Sequence, residues 1–251
     1  MKTSRASAAA AGKSRSRKPL ASAEHGTSVK TAFEAVRELI VHGRLAPGSW
    51  IIESEIALRL GVSRTPVRAA LQWLQKEGYV VATGTGTKSR MTVAPLTRED
   101  ARELYAIVGH IEGLAGRRTA ALDRKLRNEL VTELKKVNLQ LSETGGPETT
   151  GPNRFFDLDA RLHNTIFEAS AGARLRAIYE AIKPQTERYW RLYSSSITGG
   201  VNESVMEHDE IIAAIAKGDA DRTERALHAN WTNGAERLAA VISMFGERGS
   251  W

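Results

Sequence analysis

The sequence predicts a mainly α protein, in which three short helices and a β-hairpin precede an all-α helical bundle. Three observations predict it. Apolar residues recur at helical spacing on both sides of the run Gly61-Val62-Ser63-Arg64-Thr65-Pro66-Val67-Arg68. Two β-prone runs, Tyr79 to Thr83 and Arg90 to Val93, flank the glycine-rich stretch 84–89. From residue 98 to residue 246 the helical period breaks only at glycine, proline and aspartate positions.

The first helix is read from Ser28 to Gly43, with Val29, Phe33, Val36, Leu39 and Ile40 on one face. Leu45-Ala46-Pro47-Gly48 is a turn, and a short second helix runs from Glu53 to Leu60. Ser63 is placed as the N-cap of the third helix, where its hydroxyl suits an orphan N–H of the first turn. Pro66 falls in that turn, where a missing N–H costs little. Val67, Leu71 and Leu74 form the inward stripe, and Arg64 and Arg68, four apart, share another face. The helix runs to Glu77, and Gly78 is a natural left-handed terminus.

Three helices and a hairpin make a winged helix-turn-helix. A capped third helix with two arginines near its N-terminus has the shape that enters a DNA major groove. Arginine can donate two hydrogen bonds to a guanine edge, worth about 1–3 kcal/mol of discrimination. Ser63 and Thr65 suit phosphate anchoring, and Lys88 and Arg90 at the wing suit backbone phosphates. A helix-surface arginine is ordinarily just solvated; the surrounding motif and the wing favour DNA contact at Arg64 and Arg68.

Beyond a linker at Pro95 to Thr97, Thr97 caps a helix with Glu99 and Asp100 in its first turn. Helices are expected over 98–121, 123–142, 153–170, 173–195, 201–217 and 219–246, with a kink at Pro184. The chain therefore divides into a basic tail (1–27), a DNA-binding head (28–96), a helical domain (97–246) and a short C-terminal tail (247–251).

Composition bounds this reading. The 251 residues accommodate one large domain or two ordinary ones. No run approaches the roughly 18 apolar residues of a membrane span, so a soluble, cytoplasmic protein with no membrane partner is expected. The absence of cysteine excludes disulfides and thiolate metal sites. Of the net charge of +7, six basic residues against Glu24 place +5 within residues 1–27. That tail of alanine, serine, lysine and arginine cannot bury enough surface to fold. It reads as a disordered leader or as a basic arm adding non-specific phosphate affinity, and it lacks the apolar core of a secretory signal. DNA-binding charge in the head is local.

The helical half holds His110, His163, His208 and His228. Asp159 and His163 lie four apart on one helix face, a spacing at which carboxylate and imidazole can chelate one divalent ion. Neutral imidazole is the commonest ligand for zinc, nickel and related ions. Taken singly, each histidine is equally explained as a surface or core residue.

Residues 28–96 resemble the winged-helix domain of GntR-type bacterial transcription regulators. The resemblance rests on Ile40-x-x-Gly43-Arg44-Leu45-x-Pro47-Gly48 and Glu55-x-Ala57-x-x-Leu60-Gly61-Val62-Ser63-Arg64-Thr65-Pro66-Val67-Arg68-x-Ala70-Leu71. Where the family usually carries a DNA-contacting arginine, just before Glu55, this chain has Ser54. Residues 98–246 resemble the helical ligand-binding (FCD) domain of the FadR-type branch. This rests on Leu104-Tyr105, Ile111-Glu112-Gly113-Leu114-Ala115, Leu158-Asp159-x-x-Leu162-His163-x-x-Ile166, Glu207-His208-x-x-Ile211, Ala214-Ile215 and Gly218-Asp219.

The resemblance implies a divalent metal ion, zinc or nickel first, held by Asp159, His163, His208 and a last-helix histidine. The position of that last ligand falls on Asn230, with His228 two residues early. Helical phase groups Asn230 with the inward stripe of Leu227, Trp231 and Leu238 and sets His228 about 200° away, which favours Asn230 as ligand or effector contact. The arginine often offered to an acidic effector is replaced by Val108. His110, Arg161 and Arg188 are weaker candidates, and Trp190, Tyr189 and Tyr193 are either cavity wall or ordinary core.

The resemblance further implies a homodimeric transcription regulator, by precedent a repressor, that reads a roughly palindromic double-stranded DNA operator and binds a small carboxylate effector near the metal. Two rival readings stand beside it. The helical domain could be metal-free and serve only dimerisation. Alternatively, Asp159, His163 and His208 could activate water in an enzyme, for which the sequence offers no separate general base.

Overall fold

The computed structural model describes residues 21–84, 90–145, 152–193 and 200–249. In the head, α1 (Ala21–Val41), α2 (Glu53–Leu60) and α3 (Arg64–Lys76) close around Val36, Ile40, Ile56, Val67, Leu71 and Leu74, where the inward stripes meet. Gly61, at φ +67°, turns the chain between α2 and α3 in a left-handed conformation that favours glycine. β1 (Val80–Thr83) and β2 (Arg90–Val93) pair antiparallel, with Val80 opposite Val93 and Thr83 opposite Arg90, and Trp50 adds a bridge to Thr92. Lys88 lies outside the described residues.

Two local features differ from expectation. Helix α1 begins at Ala21, inside the stretch read as tail. Ser63 does occupy the N-cap, with φ −74° and ψ 166°, but its exposed hydroxyl makes no capping hydrogen bond. As expected, Pro184 lies inside one helix, Ala173 to Tyr193, since one missing N–H need not end a packed helix.

The second half comprises α4 (Arg98–Ala120), α5 (Arg124–Ser142), a 3₁₀ turn at Glu143–Gly145, α6 (Pro152–Glu168), α7 (Ala173–Tyr193), α8 (Val201–Lys217) and α9 (Ala220–Phe245). Thr97 caps α4 by accepting from the Asp100 N–H at 3.1 Å, and the Asp123 carboxylate caps α5. Helix α4 lies along α9. The close approach needs Gly109, Gly113 and Gly116, which face α9 at i, i+4 and i+7. A Cβ on Gly109 would stand 2.9 Å from the Trp231 Cβ. Two apolar clusters result, one around Val108, Tyr189, Trp231 and Leu238, the other around Leu134, Leu162, Ile166 and Ile211.

The linker and the C-terminal tail are both tied down. Leu96 is fully buried and exchanges backbone hydrogen bonds with Arg248 at 2.8 and 3.1 Å. Gly249 packs against Gly48 of the head. Helix α7 adds two further ties, from Gln185 Nε2 to the Glu77 carbonyl and from Arg188 Nη2 to the Ala94 carbonyl, each 2.6 Å. No helix among the described residues is long and apolar enough to cross a membrane.

Replacing Gly109 with valine overpacks the α4–α9 contact, so Gly109→Val is expected to lower stability by about 1–3 kcal/mol. In urea unfolding this appears as a lower midpoint at unchanged slope; an unchanged midpoint would show that the helices do not need the glycine.

Candidate functional site

On the head, Arg64 and Arg68 project from the first two turns of α3 with side chains 63% and 60% exposed. Both are held by one carboxylate that the sequence reading missed. Glu53, in the first turn of α2, accepts from Arg68 Nε at 3.0 Å and Nη2 at 2.8 Å, and from Arg64 Nη2 at 3.2 Å. The hydrogen bond from Arg68 is the main cause that holds the Glu53 carboxyl below its ordinary pKa, against the opposing effect of burial. Such exposed pairs add little stability. Their effect is geometric: two guanidinium forks are set side by side on one face. Across the adjoining groove, Arg90 stacks 4.1 Å above the ring of the exposed Trp50. Ser63 and Thr65 lie exposed at the start of α3.

In the helical domain the polar strip between the two apolar clusters centres on Glu112 of α4, 1% exposed. Its Oε2 accepts from His163 Nδ1 at 2.5 Å and Trp231 Nε1 at 2.7 Å. Its Oε1 accepts from the Tyr179 hydroxyl at 2.7 Å and Lys183 Nζ at 2.9 Å. Burial opposes ionisation here. The charges of His163 and Lys183, with the hydrogen bonds from His163 and Trp231, nevertheless hold the Glu112 carboxyl well below the usual range. Burial opposes a charged His163 ring, but the charge of Glu112 and its hydrogen bond raise the pKa of His163 above its ordinary value.

His163 meets Asp159 and His208 here, with one candidate ligand atom from each lying within 4.8 Å of the others. The outer nitrogen of each imidazole is engaged. Asn138 donates from Nδ2 to Asp209 Oδ1 at 2.8 Å and to the Val205 carbonyl at 3.1 Å, so its Oδ1 is the acceptor for His208 Nδ1, 3.1 Å away. That leaves His208 Nε2 with its lone pair inward, buried and without a hydrogen-bond partner. Asp159 Oδ1 is 3.4 Å from it, long for a hydrogen bond. Two imidazoles with outer nitrogens locked and inner nitrogens turned to a carboxylate fit a divalent ion of the zinc or nickel type.

Asp159 and His163 form one end of a cavity of about 100 Å³, whose wall also includes Tyr105, Phe156, Lys183, Trp190, Asn230 and Arg237. Asn230 is buried in that wall and donates to Glu207 Oε2 at 2.8 Å. His228 instead lies against His110 with ring centroids 4.3 Å apart, away from the cavity wall.

Three proposed effector contacts fall elsewhere, each for reasons of helix phase. His110 is exposed, two residues and about 200° from Glu112. Arg161 stands between Asp159 and His163 in sequence, hence on the opposite face, where it pairs with Glu133 at 2.5 Å. Arg188 is buried at the domain junction. Of the three aromatics in question, Trp190 lines the cavity, while Tyr189 and Tyr193 belong to the core. Sequence reading also missed Glu112, Asn138, Lys183 and Arg237. The available signal was an ionisable residue at an inward helical phase, as with Glu112 eight residues after Leu104 and Lys183 four after Tyr179.

Two family descriptions match the chain, "Bacterial regulatory proteins, gntR family" over residues 28–88 and "FCD domain" over residues 103–233. An HTH-type transcriptional regulator from an unstable DNA locus of Streptomyces ambofaciens is 29% identical over 209 residues, covering 80% of each chain. The gluconate operon transcriptional repressor of Bacillus licheniformis is 27% identical over 212 residues, covering 82% of each. Among solved structures, E. coli McbR/YncC superposes with a TM-score of 0.60 at 19% identity, over 87% of this chain and 99% of its own, which shows a shared fold.

Removing the carboxylate at the centre of the strip leaves Lys183, whose side chain is only 12% exposed, without its counter-charge. Glu112→Ala is therefore expected to destabilise the protein by about 3–5 kcal/mol, measured by urea unfolding; a loss under about 1 kcal/mol, the scale of an exposed pair, would refute a structural role for the network.

Proposed function

Because the chain belongs to the GntR family of bacterial regulatory proteins, carries an FCD domain and is thus a DNA-binding transcriptional regulator, we propose that it is a homodimeric, metabolite-responsive repressor. In this reading two copies of α3 enter successive major grooves of a roughly palindromic operator. Arg64 and Arg68 read base edges, while Ser63, Thr65, Lys88 and Arg90 hold phosphates. The family and the relatives point to a regulator rather than an enzyme.

The helical domain binds a small carboxylate beside a divalent ion held by Asp159, His163 and His208, with Asn230 in the adjoining wall. The observation that carries this is the buried Nε2 of His208, without a hydrogen-bond partner and beside Asp159 and His163, two residues of a cavity wall that also presents Lys183 and Arg237. A bound ion would supply a fixed positive charge for the carboxylate. Helix α7 couples the sites, since Lys183 lines the cavity while Gln185 and Arg188, on the same helix, hold the head. An effector that favours one setting of α7 shifts the placement of the heads and so changes operator affinity. Asn230 in place of an imidazole favours a second reading, a metal-free helical domain used for dimerisation.

Arg68→Ala is expected to weaken operator binding by about 1–3 kcal/mol, and non-specific duplex binding far less. Fluorescence anisotropy at one fixed salt concentration measures both; an equal loss on both duplexes would reduce Arg68 to a phosphate contact. For the metal, elemental analysis of purified protein should find about one divalent ion per chain and much less in His208→Ala. Chelator should lower the melting temperature of the wild type and leave that of the variant unchanged. A metal-free wild type, indifferent to chelator, would select the second reading.

A further inference from the structure

We propose that the cavity of the helical domain takes an aromatic monocarboxylate, a flat apolar body with one carboxylate, rather than a polyhydroxylated sugar acid. The inference rests on the effector and metal reading above and adds to it the chemical class of the effector.

The wall is rich in aromatic and apolar side chains. Phe156 and Trp190, stacked on each other within 9° at 4.9 Å between centroids, contribute to it, and Leu238 and Tyr105 extend the apolar lining. Stacked and apolar contacts of this kind favour aromatic ligands. A cavity of about 100 Å³ is smaller than the engineered apolar cavity of about 150 Å³ that takes benzene, so it has no room for more than one ring.

The polar groups on the same wall are already engaged with one another. Arg237 donates to both oxygens of Glu207, at 2.8 and 3.0 Å, and to Ser204 Oγ at 3.3 Å. Asn230 Nδ2 donates to the same carboxylate at 2.8 Å, and the Thr186 hydroxyl donates to the Lys183 carbonyl at 2.7 Å. The several hydroxyls of a sugar acid would leave water for groups whose hydrogen bonds are made elsewhere, which disfavours them. Lys183 is different. An ammonium has three donors, and among the described residues the Lys183 Nζ has one hydrogen-bond acceptor, Glu112 at 2.9 Å, while lying 4.4 Å from the centroid of the Trp231 ring and 5.3 Å from that of Tyr179. It retains capacity for a ligand carboxylate.

The charge count selects one carboxylate over two. Lys183 and Arg237 face Glu112, Glu207 and Asp159, while Glu187 at the rim pairs with Arg191. With neutral imidazoles, these groups carry one net negative charge, and a divalent ion brings them to one net positive charge. A monoanion neutralises the site; a dianion overshoots.

The experiment uses the full-length protein, its metal content measured first, and titrates benzoate, 4-hydroxybenzoate, benzyl alcohol, phthalate and gluconate by calorimetry. At least one of the two aromatic monocarboxylates is expected to bind, with the alcohol, the dianion and gluconate each weaker by about tenfold or more. Lys183→Met should weaken the aromatic acid by about tenfold without changing metal content. The wild-type comparison stands alone if the variant misfolds. Gluconate or phthalate binding as tightly as the aromatic acids, or no binding of either aromatic acid, overturns the proposal. Aromatic-acid binding to metal-free protein would instead sink the metal reading and leave the ligand class standing. Metal-loaded protein that binds only gluconate would do the reverse.

Discussion

The Glu112 carboxylate is the interaction on which the helical domain is organised. It is nearly inaccessible to water, and an isolated charge there would be costly. Donors from three other helices offset that cost: His163 on α6, Tyr179 and Lys183 on α7, and Trp231 on α9. Because each donor must reach one pair of oxygens, the carboxylate sets the spacing of four helices at one level of the bundle. The glycines of α4 make this possible by letting α9 come close enough for the Trp231 indole to reach. The same contact orients the His163 ring, so the candidate ligand geometry follows from the packing.

Helix α7 carries this organisation to the head. Its first half contributes Tyr179 and Lys183 to the Glu112 network, and its second half contributes Gln185 and Arg188 to the carbonyls of Glu77 and Ala94. The C-terminal residues close the junction from the other side, where Arg248 pairs with Leu96. The boundary between the two halves is thus crossed by directional hydrogen bonds to backbone. The proposed response to an effector needs such a connection.

The head shows a parallel device at smaller scale. Glu53 gathers Arg64 and Arg68 onto one carboxylate, much as Glu112 gathers its donors, but in water rather than in the core. The energetic return is small there, and the result is orientation. A guanidinium already held in place loses less freedom on meeting a base edge.

Much of the architecture was legible in the sequence because local rules govern it. Periodicity, glycine stops and the turn at Gly61 marked the helices and hairpin of the head, and helical phase put Asn230 inward and His228 outward. Asp159 and His163 could be paired by spacing alone. Contacts between helices distant in sequence could not be read. His110, Arg161 and Arg188 looked plausible by residue type, yet each faces away from the cavity, and the inward phase of Lys183 did not tell which groups it would meet. The capping hydrogen bond of Ser63 was inferred from a local rule that the fold did not follow, and nothing local announced the pairing of Arg248 with Leu96. The sequence by itself determined the two-part helical architecture and the family, because these depend on short-range pattern and motif. Only the tertiary structure decided which ionisable groups share a cavity, because burial and pairing are properties of helices brought together from across the chain.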